Sequence, residues 1–275
     1  MTVRTPDFAY PANVDTQARA KLKQSLSEHS GPGTVRALMD ITLAQGAIDS
    51  DNLAGCLTLC DSVLALPHNS LLTQSMIKML KASVLNSIYT RQQWRFDRRQ
   101  QPSEPIPTDY DEWSGEQFRA VIMKLTAEAM SPADTLASTP TKAWSQVLCT
   151  DRDMLIYYPT LLDYMARMAI DMMQGWGNQS HIFSINAVRE ACEPSAHQPV
   201  PVLRRDIVGQ SILELYATVL THSDIDSAPY INAIASRARW MTDHIASGNQ
   251  LEDKKRFLTQ LYDSYLTPTG KTRCQ

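Results

Sequence analysis

Residues 114–125, Ser114-Gly115-Glu116-Gln117-Phe118-Arg119-Ala120-Val121-Ile122-Met123-Lys124-Leu125, decide the fold class. Ser114 can accept the backbone N–H of Gln117 while the Gln117 side chain accepts that of Ser114, a reciprocal capping box that satisfies two of the donors orphaned at a helix start. Phe118, Val121, Ile122 and Leu125 follow at helical spacing on one face, so a helix is predicted from Ser114.

The same grammar extends in both directions. Downstream, Ser131-Pro132 opens a short helical turn, and residues 141–148 suggest another. Thr160, after Tyr158-Pro159, caps a helix with Asp163 at the box position; Leu161, Leu162, Met165, Met168, Ala169 and Met172 give it an apolar face that ends at Gly175. Its methionines read as core packing, because thioethers fill irregular gaps. Residues 176–203 are mixed, with one short helix expected over 184–192, and final helices are predicted over about 205–221, 228–247 and 251–266. Upstream, a helix from Asn69 to about Arg91 carries Leu72, Met76, Met79, Leu80, Val84 and Ile88. Before it come helices from a cap at Ser50 to Pro67, from Thr34 to Gly46, and from a cap at Asp15 to the stop Gly31-Pro32-Gly33.

Composition agrees with this pattern. Ala, Leu and Met number 66 in the 275 residues against 28 Val and Ile, which favours helix because unbranched side chains lose least rotamer freedom there. At 43% hydrophobic and 20% charged, the chain has apolar material for a packed core. The expectation is an all-α fold of irregular stacked helical hairpins, similar to a tetratricopeptide-like right-handed solenoid but without a clean repeat of about 34 residues. It is read as a single helical-repeat region over 1–275, with helices over about 15–93 and 114–275 and a long Pro-rich loop over 94–113 that is expected to be ordered.

Most chemistries lack their handles. The net charge of −3 provides no global attraction for nucleic acid or an anionic membrane. There is no His-Glu-x-x-His zinc pair, phosphate-cradling glycine loop, dinucleotide turn or nucleophile elbow. Asp49, Asp51 and Asn52 lack the glycine and the closing Glu of a calcium loop. Cys56 and Cys60 share a helical face with no second ligand pair, so the thiols read as core residues, and the odd set of five cysteines argues against a disulfide scaffold. Asn178-Gln179-Ser180 is a sequon that arises often by chance, and the pairs Asp151/Asp153 and Asp224/Asp226 fall in expected loops. No catalytic, cofactor-binding or metal-ligating residue is therefore assigned. Neither a leader-like N-terminus nor a run of about 18 uncharged apolar residues is visible.

One constellation remains. Trp94, Arg95, Phe96, Arg98 and Arg99 interleave cations with aromatics, followed by Tyr110 and Trp113. Four arginines against Asp97 leave +3 over 91–99, and Glu104, Asp109, Asp111 and Glu112 give −4 just after. Such adjacent, opposite charge favours a loop folded back through internal ion pairs, with Trp94 and Trp113 as hydrophobic pins. These seven residues are a candidate structural pin or an interaction surface, with nucleic acid the poorer fit.

Several uncommon strings occur together: Phe8-Ala9-Tyr10-Pro11, Trp94-Arg95-Phe96-Asp97, Glu112-Trp113-Ser114-Gly115, and Tyr157-Tyr158-Pro159-Thr160-Leu161. In combination the chain resembles the N-terminal helical region of alpha-2-macroglobulin-like proteins of Bacteroidetes bacteria. The resemblance implies an extracytoplasmic protein, in periplasm or at the cell surface, associated with protease trapping. Cytoplasmic residence is the alternative. The macroglobulin β-sandwiches and a Cys-Gly-Glu-Gln thioester sequence are missing from these residues. The functional expectation is a non-enzymatic, protein-binding helical scaffold, with further domains of a larger protein among its partners. The alternatives are a cytosolic tetratricopeptide-like peptide binder, with a concave groove lined by Asn, Lys or Arg, and an all-helical enzyme with a non-sequential site.

Overall fold

A computed structural model describes residues 31–46, 53–67, 69–99, 106–107, 109–177, 183–184, 187–188, 203, 206–244 and 259. Every regular element among them is helical, and an isolated antiparallel bridge pairs Pro140 with Thr160. The chain divides into two compact units, residues 1–155 with 160–172 and residues 156–159 with 173–275, where a single region is the sequence expectation.

The first unit begins its described part with α1 (Pro32–Gly46) and α2 (Leu53–Leu64). Pro32 opens α1, where its missing N–H is one the helix would leave unpaired anyway, and Gly31 enters with φ 117, in the left-handed region that a side chain disfavours. The Gly31-Pro32-Gly33 string thus starts a helix; the helix expected before it lies outside the described residues. α3 (Leu71–Arg91) is capped by Ser70, whose hydroxyl accepts the Thr73 N–H at 3.2 Å. Asn69, expected as the first residue of that helix, is buried in the turn instead and donates its side-chain amide to the Val63 carbonyl.

α3 is the central element of this unit. Met76, Ile77, Met79, Leu80, Val84 and Leu85 are all buried, positions that run around the helix rather than along one face. α1 and α2 pack against it, and α5 (Gly115–Met130) does so most extensively. Each such apolar side chain contributes about 1.5–3 kcal/mol when removed from water. α5 starts with the predicted capping box: the Gln117 N–H donates to Ser114 Oγ at 3.3 Å, and the Ser114 N–H donates to Gln117 Oε1 at 2.9 Å. Between α3 and α5 lie the one-turn α4 (Gln93–Phe96) and a 3₁₀ turn at Tyr110–Glu112.

After α6 (Ala133–Ala137) the chain makes a 3₁₀ turn at Thr141–Trp144, then α7 (Arg152–Tyr157) and α8 (Leu161–Gln174). The Leu161 N–H donates to the Thr139 carbonyl at 2.9 Å, and the Tyr164 hydroxyl donates to the Cys149 carbonyl at 3.0 Å. The second predicted box is present: the Thr160 N–H donates to Asp163 Oδ2 at 3.1 Å and the Asp163 N–H to Thr160 Oγ1 at 3.3 Å. Met165, Met168 and Met172 are buried, as core packing requires, and Ser83 Oγ lies 3.7 Å from the Met172 sulfur.

In the second unit α9 (Ile207–His222) packs on α10 (Ala228–Asp243). Asp206 caps α9 through the Gly209 N–H at 2.8 Å, and Ser227 caps α10. Ile212, Leu213 and Tyr216 are buried on α9, and Ile234, Ala238, Trp240 and Met241 on α10. Phe183 donates its N–H to the His244 carbonyl at 2.9 Å and sets its ring edge-on to Trp240 at 5.5 Å. Ala187 and Val188 are helical within the span 184–192; of the helix expected over 251–266 only Thr259 is described, and it is helical.

Candidate functional site

The constellation at the end of α3 is built by a break in the chain direction. Gln92 leaves helical geometry, at φ −128 and ψ 29, and α4 follows at once. That change of phase turns Phe96 inward, where its ring is fully buried against Phe118 at 4.6 Å between centroids. Trp113 meets Phe118 edge-on at 5.1 Å, and Tyr89 stacks on it at 5.6 Å. The Trp113 indole donates Nε1–H to the Pro107 carbonyl at 2.7 Å, and Arg99 donates to the Trp113 carbonyl at 3.2 Å while lying over the Phe96 ring. Tyr110 opens the 3₁₀ turn and is half-buried. Phe96, Arg99 and Trp113 are therefore gathered around one aromatic cluster, and Tyr110 is tied to it through its backbone carbonyl, which accepts the Trp113 N–H at 3.0 Å.

Beside it lies a polar knot that the sequence did not single out. The Tyr89 hydroxyl donates to Asp97 Oδ1 at 2.9 Å; Arg119 donates to the same oxygen at 3.0 Å and also to the Tyr89 hydroxyl oxygen. Burial, reinforced by the hydrogen bond to Asp97, pushes the Tyr89 phenol up to about 12, with the Arg119 charge pulling the other way. The Asp97 carboxylate occupies the space where residue 115 would carry a side chain: a Cβ there would stand 1.9 Å from Asp97 Oδ1. A side chain on the first residue of α5 would have to displace the Asp97 carboxylate from the knot. These partners are 8, 22 and 30 residues apart, so no spacing rule could have joined them.

The other residues of the set face outward. Trp94, expected as a second pin, is 67% exposed, because it lies two positions before Phe96 on the same turn and so emerges on another side. The Arg98 guanidinium lies over its ring at 5.7 Å. Arg95 donates to Gln92 Oε1 at 2.7 Å, stands 3.7 Å from Asp111 Oδ1, and places its guanidinium 5.6 Å from the Phe96 centroid. Of the seven candidates, Phe96 is buried, Arg99 and Trp113 pack half-buried against its cluster, and Trp94 and Arg98 form an exposed cation–aromatic face.

Elsewhere the chemistry stays dispersed. His222 and His244 hydrogen-bond through Nδ1 to carbonyls one turn back, of Thr218 and Trp240, both at 2.7 Å. Asp151, Asp153, Asp224 and Asp226 are exposed, with Asp151 accepting the Met154 N–H as a cap at 2.7 Å. Cys60 is buried and Cys149 exposed. Among the described residues no group of three or more His, Cys, Asp or Glu side chains could hold a metal ion, and no helix is long and apolar enough to cross a membrane. The Asp49/Asp51/Asn52 stretch and the Asn178 sequon lie outside the described residues.

No protein-family profile, curated protein or solved structure matches the chain. Of the strings that carry the macroglobulin-like resemblance, Phe96 and Trp113 join the aromatic cluster, Ser114 caps α5, and Thr160 caps α8.

Proposed function

We propose that this chain is a non-enzymatic helical scaffold that makes protein contacts, its hairpins stacked irregularly in the manner of a tetratricopeptide-like right-handed solenoid. The observation that carries the reading is the exposed Trp94 with Arg98 over its ring, beside a well-packed helical body. Tryptophan and arginine are the side chains most enriched where protein interfaces concentrate their binding energy. Arg98 has no ion pair among the described residues, so its charge is available to a partner. The sequential packing of α1 on α2 and of α2 on α3 supports the stacked-hairpin reading. The polar cluster with the marked pKa shift, Tyr89–Asp97–Arg119, packs against a helix start and presents no nucleophile–base pair. In line with the macroglobulin-like resemblance, the partners include further domains of a larger extracytoplasmic protein.

The test is affinity isolation from the native host, wild type against Arg98→Glu, with quantitative mass spectrometry. A protein recovered with the wild type and depleted at least about tenfold with the variant, a change of about 1.4 kcal/mol in binding, supports the scaffold. Identical recoveries would remove the surface from which the reading is argued.

A further inference from the structure

The exposed cation–aromatic face does not stand alone. Beside it is an exposed acidic turn, Asp109, Asp111 and Glu112, joined to it where Arg95 meets Asp111 at 3.7 Å, the one ion pair between them among the described residues. Away from that pair the charges are unmatched: neither Arg98 nor Glu112 makes an ion pair among the described residues, and the Asp109 carboxylate is engaged only by the Asp111 N–H, at 2.9 Å. Cation and anion thus lie side by side on one surface, each mostly facing water, with the exposed Trp94 ring on the cationic half.

Such an arrangement discriminates among partners. A nucleic acid or a uniformly acidic segment drawn to Arg98 would also meet the acidic turn, and like-charge juxtaposition costs affinity. A surface carrying both signs in adjacent halves is, however, complementary to its own image turned about a two-fold axis, since in an isologous contact residue i meets j and j meets i. We propose that this face binds a second copy of the chain, with Trp94 and Arg98 of each copy set against the Asp111–Glu112 turn of the other. The proposal deepens the scaffold reading and rests on the same surface. It is steered by charge and so weakens as salt screens it.

The test is sedimentation velocity of the purified 275-residue chain from about 1 to about 300 μM, a span that covers weak association, at low and high salt. The expected result is a shift from the 30.8 kDa monomer toward twice that mass as concentration rises, reversed by salt. Arg98→Glu and Glu112→Arg should each weaken association at least about tenfold, because each homodimer then sets like charges together twice. Mixed in equal amounts, the two variants should associate again, because the heterodimer restores opposite charges at both contacts. Should Arg98→Glu fail to fold, Trp94→Ala takes its place and should likewise weaken association. A chain that remains monomeric throughout, or one whose association survives both charge reversals, would overturn the proposal. Loss of a host partner with Arg98→Glu from a purely monomeric chain would overturn self-association and leave the scaffold standing.

Discussion

Phe96 and Trp94 are two residues apart on one turn of helix, each is aromatic, and each has an arginine guanidinium over its ring. Phe96 is fully buried among Phe118, Tyr89 and Trp113, whereas Trp94 is 67% exposed. Nothing in residue type separates them. What separates them is helical phase, set by the break at Gln92, so position on the turn rather than hydrophobicity decides which aromatic holds the fold and which one remains for a partner.

Replacing Phe96 by Ala should open a cavity under α5 and cost about 3–5 kcal/mol, as truncation of a core aromatic does, readable as a lowered urea midpoint. Trp113→Ala should cost about 3 kcal/mol, again read as a lowered urea midpoint, because the indole packs edge-on against Phe118 and donates to the Pro107 carbonyl. Gly115→Ala should cost about 1–2 kcal/mol, since the new Cβ drives the Asp97 carboxylate away from Tyr89 and Arg119 and forfeits charge-assisted hydrogen bonds; pairing it with Asp97→Ala should remove most of that cost in a double-mutant cycle.

Tyr89 supplies a pH test of the same cluster. Its folded-state phenol titrates near 12 against an ordinary value of 10, so between those values the folded protein keeps a proton that the unfolded chain gives up. The contribution is complete below pH 10 and is lost as pH rises toward 12. Tyr89→Phe should reduce the slope of stability against pH in that window by one proton, measured by denaturation at stepped alkaline pH. The smallest effect belongs to the outward residue: Trp94→Ala should leave stability within about 0.5 kcal/mol, and a larger loss in thermal unfolding would place Trp94 in the pin after all.

Local signals were legible in the sequence where two residues of one turn satisfy each other. Ser114 with Gln117 and Thr160 with Asp163 both form the reciprocal caps that their spacing predicts. Asn69 was misplaced because Asn and Ser are both good caps, and only the Val63 carbonyl, reached through the turn, decides that Ser70 takes the role. The Tyr89–Asp97–Arg119 knot was illegible, since it depends on α3, α4 and α5 converging and on the absence of a side chain at Gly115. The four-residue spacing of Trp94 and Arg98 was visible, but which side it faced was not.

The burial of α3 on most of its sides bears on how the chain is made. During synthesis Met76, Met79, Leu80 and Val84 leave the ribosome before α5 exists to cover them, and Met130 follows Arg91 by 39 positions. At about 5–20 residues per second, that leaves these apolar side chains only partly covered, by α1 and α2, for roughly two to eight seconds. Within that window the uncovered apolar side chains are open to non-native contacts, and any slowing of the emergence of α5 would lengthen their exposure.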